Sequence, residues 1–440
     1  MPDILAPGQE RFRRLSKEGA WIVLGQASAV LGSLAGVRLL TELLDPAAYG
    51  ELALGMTVAS LVNQTVLGPL SNGITRFYAP AQERGDLASY LSAVRGLVLA
   101  ASAVIAIMIL LAAAGLLIAG RKEWIAIAGA ALVLAGLSGC NAILSGIQNA
   151  ARQRAIVALH QGIEPWARFL LAAALLLWLG ATSTVAMAGY ALAVTLVLGS
   201  QYVFFRKVIH VNGAVADRSS WRRQIWTYSW PISIFGTFTW MQLASDRWAL
   251  ERFATTQEVG LYAALFQLGY YPMSIATGMA VQFLVPIFYQ RAGDASDYQR
   301  NAGVDSLSWR LTGIALGLTG AFFLAALLFH AQIFRLLVAA EYASVSHLLP
   351  WMLLSGGVFA AGQTIALNLM SQMKTQIMIA PKLITALLGV ALNFALAYWY
   401  GISGIVIAGM LFSVAYFVWM AVLAKRQGIN FRIDDATKES

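Results

Sequence analysis

The feature that most constrains this chain is a series of twelve apolar runs, most of them about 20 residues or longer, separated by polar segments. A helix needs about 20 apolar residues to cross ~30 Å of hydrocarbon at a rise of ~1.5 Å per residue. Because lipid offers no hydrogen-bond partners, only helices and closed barrels span a bilayer, and runs of this length indicate helices. We therefore predict an all-α polytopic membrane protein with about twelve transmembrane helices, at residues 20–44, 50–78, 88–119, 124–147, 155–179, 184–205, 225–250, 259–288, 311–329, 347–373, 380–400 and 402–424.

Composition excludes an ordinary soluble protein. Hydrophobic residues make up 59% of the 440 residues and charged residues only 12%, against roughly 25% charged in soluble domains. The formal net charge of +9 would suggest nucleic-acid binding in a soluble chain, but here the charges lie mostly between the apolar runs. We expect a bilayer as the partner of these segments and no nucleic acid.

The distribution of basic residues predicts the orientation. Of the 30 Lys and Arg residues, 23 fall on one side when segments are assigned to alternate faces. Cytoplasmic segments carry such an excess, so both termini are predicted to be cytoplasmic. The boundaries that follow are a cytoplasmic amphipathic N-terminus at 1–19, an N-lobe at 20–207, a basic cytoplasmic linker at 208–224, a C-lobe at 225–426 and a cytoplasmic tail at 427–440.

An internal repeat relates the two lobes. The segment VRLLTELLDPAAYGELAL at 37–54 and the segment DRWALERFATTQEVGLYAAL at 246–265 each contain an Arg, a Glu four residues later and a Gly that opens a long apolar run. The matching positions lie about 210 residues apart. Six spans per copy is an even number, so we predict two six-helix lobes related by a parallel repeat, with the expected site in a cavity between them.

Charged residues inside the spans are the strongest candidates for a site, since each is costly in lipid unless it faces protein or water. Arg38 with Glu42, and Arg247 with Glu251, are spaced to pair on one helix face. Two explanations fit this spacing. One is an ion pair at the membrane interface, and the other is an arginine whose planar guanidinium makes two hydrogen bonds to a phosphate-bearing ligand. The full set of substrate-path candidates is Arg38, Glu42, Arg76, Arg168, Asp246, Arg247 and Glu251, with Glu164 as the partner of Arg168.

Aromatic residues form a second group of candidates. Trp240, Tyr270 and Tyr271 lie deep in the predicted spans and could stack on sugar rings. Packing against lipid or against other helices explains them as well.

Several classes of chemistry have no motif here. The sequence contains no G-x-x-x-x-G-K-[ST] phosphate loop, and its four histidines are dispersed without H-E-x-x-H. The single cysteine, Cys140, cannot form an intramolecular disulfide. We expect no catalytic residues, no metal site and no cofactor, so the protein is not expected to be an enzyme; coupling to an H⁺ or Na⁺ gradient stays open.

Two stretches carry a family resemblance. They are LLDPAAYGELALGMTVASLVNQTVLGPLSNGITRFYA and WPISIFGTFTWMQLASDRWALERFATTQEVGLYAALFQLGYYPMS. The Pro-x-x-Tyr-Gly turn at 46–50, the Asp-Arg at 246–247 and the Glu-Val-Gly-Leu-Tyr at 258–262 resemble the polysaccharide-exporter branch of the multidrug, oligosaccharidyl-lipid and polysaccharide exporter superfamily. The likeness in layout covers nearly the whole chain.

The resemblance implies a flippase of a bacterial inner membrane. Such a protein moves an undecaprenyl-diphosphate-linked oligosaccharide from the inner to the outer leaflet, by alternating access, for O-antigen, capsule or exopolysaccharide synthesis. Its expected partners are the lipid-linked glycan and, transiently, a glycan polymerase or glycosyltransferases. One alternative is a multidrug cation antiporter of the same superfamily; another, of a different class, is a membrane-embedded glycosyltransferase or glycan ligase.

Overall fold

A computed structural model of the chain describes residues 8–208, 218–292, 297–372 and 376–439, and all regular structure within these ranges is helical. The α-helices are α1 Gly8–Leu43, α2 Pro46–Val62, α3 Gly68–Glu83, α4 Leu87–Ile118, α5 Trp124–Ala150, α6 Arg154–Leu179, α7 Ser183–Val208, α8 Arg218–Phe253, α9 Thr256–Ala292, α10 Tyr298–Leu337, α11 Leu349–Ser371 and α12 Ile379–Glu439. A π-helical turn, Asn63–Leu67, joins α2 to α3, and 3-10 turns at Ala340–Leu348 and Gln376–Met378 precede α11 and α12.

Each of the twelve predicted spans lies on helical structure. The second span is the continuous rod made by α2, the π turn and α3, while α12 supplies the last two spans because it bends at Gly401, whose φ is 53°. Within the described ranges, eight helical segments are long and apolar enough to cross a membrane by themselves, and these exclude α1, α8 and α9. The fold class is confirmed: the chain is an all-α polytopic membrane protein of about twelve helices in two lobes.

The chain divides into two compact units, residues 1–240 and 241–440. The division falls inside α8, so the first 23 residues of that helix, 218–240, belong to the first unit. The predicted lobe, linker and tail boundaries stay predictions. Residues 1–7 of the predicted amphipathic segment, and 209–217 of the predicted linker, lie outside the described residues.

The two copies of the repeat start their second helix in the same way. In the first unit, the carboxylate of Asp45 accepts a hydrogen bond from Ala48 N at 2.7 Å and caps α2. In the second unit, the hydroxyl of Thr255 accepts from Glu258 N at 3.2 Å and caps α9. A side chain three residues before its donor satisfies an open N–H group at the start of a new helix, so both repeats begin their second helix with a side-chain cap.

In the first unit, α6 packs on α1 and α7, and α5 packs on α3, α4 and α7. Small residues allow a close approach between α1 and α6. A Cβ on Gly25 would lie 2.8 Å from the backbone oxygen of Ala158, and the Ser28 hydroxyl donates to Gly162 O at 3.1 Å. Backbone contact of this kind stabilises helix pairs in membranes, where apolar burial contributes little.

The π turn in the second span follows from Pro69. Proline has no N–H and its ring collides with the carbonyl four residues earlier, so the helix widens just before it. The displaced backbone comes close to α8: a Cβ on Gly236 would lie 1.8 Å from the carbonyl oxygen of Gln64. Nearby, the indole N–H of Trp240 donates to Thr57 O at 2.7 Å. The first part of α8 therefore lies directly against the second span.

In the second unit, α11 is the central helix and packs on α9, α10 and α12. Pro350 occupies its first turn, where a missing N–H costs nothing. Its inner face forms a core with α12 through Ile365, Leu369 and Met420, which are at most 1% exposed. This framework holds the pocket described below.

Candidate functional site

The predicted substrate-path charges form three arginine–carboxylate pairs in the structure, one each on α1, α6 and α8. On α1, Arg38 and Glu42 pair as their spacing predicts. Their side chains are 36% and 49% exposed, so both groups remain at the protein's surface near the end of the helix. Arg76 is also exposed, on α3.

The pair on α8 differs from the prediction. Arg247 bonds to its neighbour Asp246, with Nη1 3.1 Å from Oδ1, instead of to Glu251. Glu251 instead accepts a hydrogen bond at 2.9 Å from the hydroxyl of Thr256. The cause is local: α8 ends at Phe253, and the Glu251 carboxylate bonds to the first residue of α9 across the turn. The expected i,i+4 pair in the second repeat is therefore wrong.

Asp246 is held from two sides. Its side chain is 8% exposed, and the phenol of Tyr262 on α9 donates to Oδ2 at 2.7 Å. The guanidinium carbon of Arg247 lies 4.5 Å from the ring centre of Phe266, a cation–π distance. A buried carboxylate is stable only when paired and hydrogen-bonded, and these contacts meet that requirement.

A pocket of about 550 Å³, part of it open to the outside, lies within the second unit at this cluster. Its polar lining consists of Gln242, Asp246, Tyr262, Tyr270, Ser355 and Asn393. Asn393 Nδ2 donates to the Ser245 hydroxyl at 2.9 Å, which links α12 to α8. A carboxylate among amide and hydroxyl oxygens can accept a proton or a small cation.

The three aromatic candidates have different surroundings. Tyr270 lines the pocket and stacks on Phe266, with ring centres 5.0 Å apart. Tyr271 is 38% exposed. Trp240 is half-buried in the first unit and uses its N–H on Thr57 O, as described above. The structure does not bring the three together within either unit.

On α6, Arg168 pairs with Glu164 inside the first unit, with side chains 23% and 17% exposed. Asn141 on α5 donates to Glu164 Oε2 at 2.9 Å, and Arg168 donates to the Ser138 hydroxyl at 3.3 Å. Of the two pairs with i,i+4 spacing, this one is less exposed than Arg38–Glu42.

Four polar residues of the pocket were not among the predicted site residues: Gln242, Tyr262, Ser355 and Asn393. Tyr262 belongs to the Glu-Val-Gly-Leu-Tyr segment at 258–262, but a tyrosine in an apolar run gives no sign of its partner. Asn393 is an amide in an apolar run, and its partner is 148 residues away. The offset of the repeat could not have found Tyr262 or Asn393, because both make contacts between helices that no fixed spacing along the chain predicts.

Solved structures with a similar fold are membrane transporters and a flippase. An inward-facing multidrug resistance MATE family transporter of the MOP superfamily aligns with a TM-score of 0.66 and 15% identity, over 93% of this chain and 95% of that chain. The lipid II flippase MurJ, in an inward closed conformation, aligns with a TM-score of 0.68 and 11% identity, over 96% and 90%.

A third structure is a MOP superfamily transporter from Pyrococcus furiosus, with a TM-score of 0.59 and 16% identity over 92% of this chain and 94% of that chain. At such identities these likenesses establish the fold. No curated protein sequence matches the chain.

Residues 15–291 match the family described as polysaccharide biosynthesis protein. The match covers the first unit and continues into the second through α8 and most of α9, so it includes both copies of the repeat. Together with the shared fold, it supports a transporter or flippase. The chain belongs to the polysaccharide biosynthesis protein family.

Proposed function

We propose that the protein flips an undecaprenyl-diphosphate-linked oligosaccharide from the inner to the outer leaflet of a bacterial inner membrane, with both termini in the cytoplasm. The observation that carries the proposal is membership of a polysaccharide biosynthesis family by a chain built almost entirely of membrane helices. A head group of sugars and diphosphate cannot cross hydrocarbon unaided, because its polar groups would lose their hydrogen bonds. Its polyprenyl tail can stay in lipid while two lobes alternate access to the head group.

The arginine pairs support an anionic cargo. Glu42, Glu164 and Asp246 each lie beside an arginine. A multidrug cation antiporter, the main alternative, needs membrane-embedded carboxylates that can bind a cationic drug, and an adjacent guanidinium repels such a cargo. An arginine fork suits a diphosphate, because it makes two parallel hydrogen bonds to phosphate oxygens. The expected route for the head group passes Arg38, Arg76, Arg168 and Arg247.

A glycosyltransferase or glycan ligase is the weaker alternative. Such an enzyme needs acidic or histidine residues that can reach an acceptor, in a sizeable loop. The described connections between helices are short, for example residues 84–86 between α3 and α4. We therefore propose a transport function without covalent chemistry, with transient contacts to the enzymes that make and polymerise the glycan.

The test is replacement of Arg38 and Arg247 by Gln, singly and together, in cells that need this gene for surface glycan. Loss of either cation weakens the interaction with diphosphate, so we expect surface glycan to fall at equal protein abundance. Arg121→Gln is the control, because Arg121 lies 64% exposed in the connection between α4 and α5. Unchanged glycan in the double variant would remove these arginines from the substrate path.

A further inference from the structure

A seam of polar side chains runs between α5, α6 and α7 of the first unit. On α5 its members are three or four residues apart and share one helix face; on α6 they are four apart. The polar seam consists of Ser138, Asn141, Ser145 and Gln148 on α5, His160, Glu164 and Arg168 on α6, and Ser200 and Gln201 on α7. All three pairs of these helices are in contact.

Hydrogen bonds cross the seam at three levels. At the first, Asn141 and Ser138 bond to the Glu164–Arg168 pair, as described above. At the second, the Gln201 amide donates to the Ser145 hydroxyl at 2.7 Å, and the Gln148 amide donates to Gln201 O at 3.4 Å. At the third, Nε2 of His160 lies 3.1 Å from the Ser200 hydroxyl. Each pair of the three helices is therefore joined by at least one hydrogen bond in the seam.

The seam holds more hydrogen-bonding capacity than the protein satisfies. Four of its buried polar atoms have no hydrogen-bond partner among the described protein groups: Asn141 Oδ1, Gln148 Oε1, Arg168 Nε and Gln201 Oε1. A fifth, Gln153 Oε1, lies in the turn between α5 and α6. Gln148 and Gln201 are 0% exposed and Asn141 is 6% exposed. Leaving a buried polar group without a hydrogen bond is unfavourable, and buried water is the usual partner of such groups.

The length and position of the seam suit a path from one surface to the middle of the membrane. From Gln148 to Ser138 is ten residues of α5, or about 15 Å, against ~30 Å for the hydrocarbon core. Gln153 continues the polar line at the α5–α6 turn, where its N–H donates to Gln148 O at 2.8 Å. Basic residues flank this turn at Arg152 and Arg154, which predicts that it faces the cytoplasm.

We propose that the polar seam is a water-filled proton path that opens at the α5–α6 turn and ends at Glu164. A proton enters from water at the turn, moves along water molecules bound to the amides and His160, and attaches to a carboxylate oxygen of Glu164. The carboxylate becomes neutral and its ion pair with Arg168 is lost, while Arg168 keeps its charge. The path carries a proton and not the cargo, so this proposal does not depend on which substrate the protein moves.

The surroundings of Glu164 make it the end point. From α5 the uncharged Asn141 bonds to it, and Arg168 on its own helix is the cation that pairs with it. From α7, the phenol of Tyr190 is near enough to Arg168 to interact with its charge. From α1, Gly25 and Ser28 contact α6 at Gly162, and Gly32 lies against the ring of Trp166.

The first test measures water access with cysteine. In a Cys140→Ala background, Ser145→Cys is compared with Ile143→Cys, which lies on the same helix at nearly the same depth; the native side chains are 8% and 3% exposed. Thiols react as thiolates, which need water, so 2-aminoethyl methanethiosulfonate added to inside-out vesicles should modify Ser145→Cys at least about tenfold faster. Equal rates at the two positions would overturn the proposal.

The second test identifies the end point and does not need transport. Infrared difference spectra of the purified protein on acidification should show a protonated-carboxyl band that shifts in D₂O and is absent from Glu164→Gln. Glu123→Gln, at a position 62% exposed in a connecting turn, should keep the band. A spectrum unchanged by Glu164→Gln would overturn the assignment of Glu164, even in a protein that flips lipid normally.

Discussion

At the scale of residues, pairing in the pocket depends on contacts between helices. Asp246 and Arg247 are neighbours, and adjacent residues of a helix point about 100° apart, so spacing alone favours Glu251 as the partner. Tyr262 changes this, because its bond of 2.7 Å fixes the Asp246 carboxylate between α8 and α9. Arg247 then stacks on Phe266 with its charge beside Asp246.

The phenol of Tyr262 should therefore contribute to stability. Tyr262→Phe leaves the buried carboxylate short of one donor, and we expect a loss of about 1–3 kcal/mol, seen as a lower midpoint of thermal unfolding in mild detergent. Tyr270→Phe is the matched control, since it removes a hydroxyl from the same pocket and leaves the bond to Asp246 intact. Equal midpoints for the two variants would mean that the Tyr262 bond stabilises nothing.

The ring of Tyr270, at the pocket wall, allows a test of sugar stacking. Tyr270→Phe keeps an aromatic face and should retain transport, whereas Tyr270→Leu removes the face that stacks on Phe266. If the ring also holds a sugar, Tyr270→Leu should lower transport more than it lowers protein abundance, because stacking of rings contributes about 0.5–1.5 kcal/mol beyond burial. Transport that falls only in proportion to abundance would assign Tyr270 to packing.

At the scale of elements, the helices were predictable and their irregularities only partly so. Apolar runs of sufficient length specify a helix in lipid, so all twelve spans could be located from sequence. A proline such as Pro69 favours a break in a helix, but it does not predict that the backbone forms a π turn beside Gly236, since that depends on the approach of α8. The bend at Gly401 follows from a positive φ that glycine readily adopts.

Contact between α1 and α6 gives a prediction for this scale. In Gly25→Ala the new methyl group would lie 2.8 Å from a backbone oxygen, which no side-chain rotation can relieve. Gly129→Ala, on α5, makes the same chemical change where nothing lies within 4 Å. We expect Gly25→Ala to be less stable than Gly129→Ala by about 1–3 kcal/mol, measured by unfolding in detergent. If the two variants were equally stable, close contact between α1 and α6 at Gly25 would contribute nothing to the free energy of unfolding.

At the scale of the whole molecule, two units built on one repeat could be predicted, and the position of the division could not. The largest polar break in sequence suggested a linker at 208–224, while the contacts divide the chain after Trp240, inside α8. A continuous helix shows no composition change at such a point, so sequence could not indicate it. The family match extends across this point to residue 291, so the division does not mark the end of the family's shared sequence.

The proposed function makes a direct prediction for the purified protein. The sequence has no phosphate loop, and the cargo is expected to move without ATP hydrolysis by this chain. Reconstitution in liposomes with a fluorescent undecaprenyl-diphosphate-linked sugar, followed by a membrane-impermeant quencher, reports how much of the label reaches each leaflet.

We predict rapid exchange of the labelled lipid between leaflets without ATP, slowed by Arg38→Gln and Arg247→Gln and unchanged by Arg121→Gln. Exchange no faster than in protein-free liposomes, or transport of a lipophilic cation in place of the glycolipid, would contradict the assignment of an anionic lipid-linked glycan as the cargo.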